Sequence, residues 1–270
     1  MRRLHPEIEA LRRVMTDLPE SAIVDPNLRV AIVTPYCGEG ADVLAQCLAS
    51  VAAQTERCAH IVVGDGAVNE VVRDFDVQHI QLPQRHRDAG DTPRAIGAMS
   101  AVAQGFDAIG FLDGDNWLSP DHVATMCDLH SDTGAQVMIA ARSLHRLDGT
   151  LLRAGGEARD GVDHVDTNCL FLTSAAFRMV PVWAMMPKRL HLAGDRLVWS
   201  TIQALGYQIA RAEKATVHYR TGFRVHYEEC GETPPEGAKD ATDVRASMRW
   251  WNELPHEQRR IAFRRLGLKV

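Results

Sequence analysis

Two aspartates one residue apart, Asp113 and Asp115 in "FLDGDNWLSP", stop an apolar run that closes with Phe111 and Leu112. Carboxylates so placed repel each other unless a proton or a cation intervenes. Oxygen donors of this kind suit a hard divalent ion, magnesium or manganese, which can also bridge to a diphosphate. A capping turn before Ser119 is the plainer use of the same residues. Asp65 ends a second apolar run, "HIVVGDGA", where a carboxylate can accept hydrogen bonds from ribose hydroxyls or a base, or simply close a turn. After a first such run, "LRVAIVTPYCGEG", the backbone could line a base pocket with Glu39 beside it.

Bringing these acids together is the work of strands. "LRVAIVTPY", "HIVVGDGA", the shorter "VQHIQLP" and "DAIGFLD" read as strands, and "AQVMIAARSL" as another. Between them, Val43, Leu44, Cys47, Leu48 and Val51 share one face of a helix over about 42–54, and "TPRAIGAMSAVAQG" is a helix with Pro93 in its first turn. A third helix is expected from Ser119. This alternation predicts an α/β protein with a mainly parallel central sheet, whose ligands bind at the carboxyl ends of the strands. Asp65, Asp113 and Asp115 all fall there. Past Gly149 come the polar loop "RAGGEARDGVDH", a strand "NCLFLT", a helix "AGDRLVWSTIQALG" and two short segments, "YQIARA" and "ATVHYR". Residues 228–240 read as a loop and the C-terminus as two helices broken at Pro255. At the other end Leu4, Ile8, Leu11, Met15 and Leu18 recur at helical spacing. The expected organisation is an N-terminal helical extension over 1–27, a main domain over 28–220, and a loop with C-terminal helices over 221–270.

Composition narrows the function classes. The 270 residues are 46% hydrophobic and 24% charged, which suits a soluble globular chain. A formal charge of −5 argues against nucleic acid as partner. Apolar runs fall short of the roughly 20 residues of a membrane span, and the first residues lack the apolar core of a signal peptide. We therefore expect a cytoplasmic protein. Its C-terminus, with Trp250, Trp251, Arg259, Arg260, Arg264, Arg265 and Lys269, could touch an anionic membrane or pack on the main domain. The six cysteines form no CxxC pair and read as reduced thiols. "GEGADV" imitates a dinucleotide fingerprint, but Val43 stands where the third glycine belongs and "PYC" separates strand from loop.

Taken in order, "VAIVTPYCGEGADVLAQCLASVAAQT", "VVGDGA", "GDTPRAIGAMSAVAQGFDAIGFLDGDNWLSP" and "GDRLVWSTIQALGY" resemble the nucleotide-sugar domain of family 2 glycosyltransferases, over roughly residues 28–220. The resemblance implies the GT-A fold, with Thr34, Pro35, Glu39 and Asp65 around the nucleotide, usually uridine. It implies a DxD motif in which Asp115 binds Mn2+ or Mg2+ and Asp113 lies nearer the ribose and also serves the metal site. His218 would complete the metal shell, and Arg94 or Arg220 would neutralise phosphate. The implied base is Asp195, in "LAGDRLVW"; many relatives carry an adjacent acidic pair there, whereas this chain has Gly194. An aspartate stabilised by a helix N-terminus is the structural alternative.

The implied reaction is metal-dependent, inverting transfer of a sugar from a nucleotide sugar, UDP-linked by family habit, to an acceptor hydroxyl. Processive relatives carry a glutamine three residues before Arg-Trp, where this chain has Ala246 before Arg249 and Trp250, so a single transfer fits better. Two other readings stay open: a sugar-phosphate nucleotidyltransferase, although "TPYCGEGAD" lacks the basic residue such a loop wants, and a non-catalytic nucleotide-binding module. His226 and Cys230 are weaker candidates than His218 for the metal shell, and acceptor-side roles for Asp166 and Asn168, like the oligomeric state, are left open.

Overall fold

The computed structural model describes residues 28–155, 164–240 and 242–265. The helix expected over residues 1–18 and most of the glycine-rich loop lie outside the described residues. Strand β1 (Val30–Tyr36) is buried at all seven positions. It pairs in parallel with β2 (Cys58–Asp65) on one side and β4 (Ala108–Phe111) on the other, and β2 pairs in parallel with β3 (Gln78–Leu82). Continuous apolar runs are what such strands need, because helices cover both faces. Leu44 and Leu48 of α1 (Ala41–Ala52) pack with Tyr36 and Val62 on one face. On the other face α2 (Asp91–Ala103) comes so close that a Cβ on Gly97 would lie 2.6 Å from Val33.

Beyond β4 the pairing turns mixed. β8 (Leu170–Thr173) runs antiparallel to both β4 and β6 (Val137–His145), while β6 and β9 (Ile209–Arg220) run parallel. The short β5 (Trp117–Leu118) pairs antiparallel with β9, and β7 (Leu151–Arg153) hangs on β6, which completes a nine-stranded sheet. The two segments expected over 207–220 are therefore one strand, with register shifts against β6 near Ala141. The helix expected from Ser119 is α3 (His122–Thr133), preceded by β5.

Five further helices follow: α4 (Pro181–Met185), α5 (Gly194–Leu205), α6 (Arg224–Glu229), α7 (Thr242–Glu253) and α8 (His256–Arg265). Leu197, Val198, Trp199 and Ile202 bury one face of α5. Trp183 of α4 packs against Phe111 of β4, ring centroids 4.7 Å apart, so the helical layer is clamped to the strand that leads into "DGD". Among the described residues no helix is long and apolar enough to cross a membrane. All six cysteines are free thiols.

Candidate active site

The turn between β4 and β5 is fixed from two sides. Gly114 N donates to the Pro35 carbonyl at 3.2 Å, and a Cβ on Gly114 would press on Tyr36 Cβ at 3.1 Å, so glycine lets the turn lie this close to β1 without crowding. From β9, Arg220 Nη1 donates to the Asp115 carbonyl at 2.5 Å, and Arg220 N donates to Asn116 Oδ1 at 2.8 Å. The same guanidinium bonds to Gln46 and stacks 4.6 Å over Trp117. Arg220 therefore anchors the turn.

Asp113 is held by both oxygens. Arg94 Nη2 donates to Oδ1 at 2.6 Å and Asn168 Nδ2 to Oδ2 at 2.9 Å, while Asp113 N donates to Asn168 Oδ1 at 2.6 Å. Arg94 is only 5% exposed, a depth at which a guanidinium needs such partners. Asn168 Nδ2 also reaches Asp166 Oδ1 at 2.7 Å, and Arg142 bonds Asp166 at 2.5 Å. Asp115 differs: its surface is open to water, yet protein crowds it on most sides. That crowding, with the like charges of Asp113 and Glu39, pushes its pKa up to about 7, and Lys239 pulls it back down. A carboxylate so placed is short of positive charge.

The other expected nucleotide contacts are already engaged. Asp65 is buried at the end of β2 and accepts hydrogen bonds from His86 N at 3.1 Å and His86 Nδ1 at 2.6 Å. Thr34 is buried within the paired strand β1, its hydroxyl 2.8 Å from His60 Nε2. Pro35 is buried against the turn, and Glu39 folds back to accept from Cys37 N at 2.7 Å and Gly38 N at 2.9 Å. Asp65 and the "DGD" turn thus share one sheet edge, two strands apart, which is roughly 10 Å.

Asp195 lies in the first turn of α5, accepting from Arg196 N at 2.8 Å, with His164 Nε2 at 3.6 Å. Burial raises its pKa, His164 lowers it and Asp166 raises it. Asp166 therefore stands between the candidate base and Asp113. His218 bonds to other groups than these aspartates. Its Nε2 is 2.9 Å from Ser119 Oγ, its Nδ1 is 2.9 Å from Ser143 Oγ and 3.1 Å from His145 Nε2, and its ring stacks on Trp117 at 5.1 Å. Among the described residues no three His, Cys, Asp or Glu side chains gather as a metal cluster. The donors that do fit a hard divalent ion are the Asp115 and Asp113 carboxylates, with room for ligands the protein does not supply. His226 bonds Thr221 Oγ1 at 2.6 Å, and Cys230 is half-buried.

A model of the family described as Glycosyl transferase family 2 matches residues 31–184, over half the chain and including both strands that flank the turn. The chain belongs to glycosyl transferase family 2. Among solved structures, this family 2 chain is similar to Staphylococcus aureus TarS. The crystal structure of TarS 1-349 in complex with UDP aligns with a TM-score of 0.57 at 13% identity, over 87% of this chain and 69% of that one. TarS 1-349 in complex with UDP-GlcNAc gives 0.55 at 11% over 87% and 70%, and a longer TarS gives 0.56 at 13%, with 42% of its length covered. At such identity the likeness speaks for the GT-A fold alone. No curated protein matches the chain.

A cavity of about 660 Å3 opens at the other end of the strands, between Arg29, Cys58, Gln78 and Cys127. It shares no residue with the aspartates. Burial pushes the Cys58 and Cys127 thiols up, to about 11 and 12, so neither is a ready nucleophile there. Among the residues that touch or charge the candidate site residues, sequence reading missed Asp91, His86, His164, His191 and Lys239. Only Asp91, three residues before Arg94, carried a helix-turn spacing that could have flagged it.

Proposed function

We propose that this glycosyltransferase moves a sugar from a UDP-linked donor to an acceptor hydroxyl in a single, inverting transfer assisted by Mn2+ or Mg2+. The observation that carries the reading is the contrast between two neighbouring aspartates. Asp113 is locked by Arg94 and Asn168. Asp115 is open, acidic and under-compensated, as the ligand of an incoming cation must be. TarS has been crystallised with UDP and with UDP-GlcNAc, which favours a uridine donor.

In this reading Asp115 would hold the divalent ion, with Asp113 behind it toward the ribose. A bound ion supplies positive charge that offsets the diphosphate leaving group. The ring nitrogens of His218 face serines and His145, so we assign it to the support of β5. The Thr34 and Pro35 backbone, Glu39 and Asp65 line the base side, where His86 holds Asp65 in place. Arg94 acts on the diphosphate indirectly, by orienting Asp113. Asp195 takes the proton of the attacking hydroxyl, and burial that raises its pKa strengthens it as a base. The test is a panel of nucleotide sugars incubated with the protein, with and without Mn2+. Metal-dependent release of UDP from one donor is expected, and no release from any donor would overturn the reading.

A further inference from the structure

The helix that carries Arg94 also reaches the segment that carries Asp195. His191 Nδ1 donates to Asp91 Oδ2 at 2.6 Å, and Arg94 Nη1 lies 3.4 Å from Asp91 Oδ1. The next bond in line is the one from Arg94 to Asp113. A continuous path of polar groups, half-buried at its ends and buried at Asp91 and Arg94, therefore runs from residues 188–193, which lead directly into α5, to the first aspartate of "DGD". Asp91 is 3% exposed and Arg94 5%. Groups that deep, in low dielectric, keep a fixed geometry because any unmade bond is costly.

Gly194 fits the same picture. A Cβ at this position would lie 3.2 Å from Asp91 Oδ1 and 3.3 Å from Met186 Sδ. A second acid beside Asp195 would be driven against the Asp91 carboxylate. The chain has instead brought a carboxylate to that spot from α2, one hundred residues away from its histidine partner.

Resting on the transferase reading, we propose that Asp91 and His191 are positioning residues: they tie the backbone ahead of Asp195 to Arg94, and so hold base and donor-side aspartate in one geometry. Neither needs to touch substrate. Misplacing a reacting group by about 1 Å can cost about a hundredfold in rate.

His191→Leu removes the donor to Asp91, and His191→Gln can restore one. Two measurements on each variant test the proposal. Backbone amide exchange over residues 188–195 is expected to quicken in His191→Leu and to return toward wild type in His191→Gln. In steady state, kcat should fall roughly ten- to a hundredfold in His191→Leu with the donor KM changed less than about threefold, and His191→Gln should recover most of it. Unchanged exchange in His191→Leu overturns the tie. A quickened segment with kcat unaltered, or kcat, KM and melting temperature falling together in both variants, overturns the positioning role. If the wild-type chain turns over no nucleotide sugar, the transferase reading fails instead, and the exchange comparison alone decides whether His191 and Asp91 hold the segment.

Discussion

Asp195 accepts a hydrogen bond from its own helix, as many helix-start aspartates do, yet burial and Asp166 both push its proton affinity upward. That is the state of a base, and substitution separates it from a cap. Asp195→Asn keeps the shape and an acceptor, so we expect kcat to drop by about 10²–10⁴ while UDP affinity holds within about twofold. Equal losses in both would mark a structural aspartate. Asp113, Asp115 and Asp195 could be picked out as candidates because each follows a strand or starts a helix within a few residues of an apolar run, a local signal. The histidines around the candidate site could not. His86 meets Asp65, His164 meets Asp195 and His191 meets Asp91, from two loops and a 3-10 turn whose distance in space is set by the whole sheet. His218 shows the same limit: histidine so late in the chain suits a ligand by type, while its neighbours Ser119, Ser143 and His145 are set by β9 and its pairing.

At the scale of elements, α2 matters most, since it delivers both Asp91 and Arg94. Its approach to β1 and β2 depends on Gly97, where a methyl would lie 2.6 Å from Val33 and 3.0 Å from Val63. Gly97→Ala should cost about 1–3 kcal/mol in chemical denaturation, overriding the helix propensity alanine adds. Stability equal to wild type would show that the helix can shift outward freely. At the other side of the turn, Arg220→Met keeps length but frees the Asp115 carbonyl and Gln46. The main-chain bond to Asn116 survives the substitution, so we expect a folded protein with weakened metal-dependent UDP binding. Unaltered binding would mean that the turn holds without the guanidinium. The parallel half of the sheet could be read from apolar runs, but the continuous β9 could not: Glu213 and Lys214 interrupt its apolar pattern, and only pairing with both β6 and β5 carries it through.

For the whole molecule, pH acts through groups that burial has moved in opposite directions. His60 and His122 are buried neutral, with pKa values lowered by burial to about 3 and about 4. The unfolded chain binds protons near pH 6.5 and the folded one does not, so their contribution is complete above 6.5 and lost as pH falls through that value toward 3–4. Asp91 works the other way: burial raises it to about 6, and its contribution is lost as pH rises through that value. The difference between variants is therefore the clean readout. His122→Gln should be less stable than wild type at pH 7, because it loses the fit beside Thr216, and the gap should narrow by about 1.4 kcal/mol per pH unit below 6.5. A gap independent of pH would mean that His122 takes up its proton within the fold.

In the proposed reaction one edge of the sheet grips a nucleoside diphosphate through a cation at Asp115. Calorimetric titration of the protein with UDP, with and without Mn2+, for wild type and Asp115→Asn, tests it most directly. Binding that appears with Mn2+ in the wild type, and is at least about tenfold weaker without metal or in the variant, is the predicted result. UDP binding indifferent to both metal and Asp115, or no binding in any combination, would contradict it.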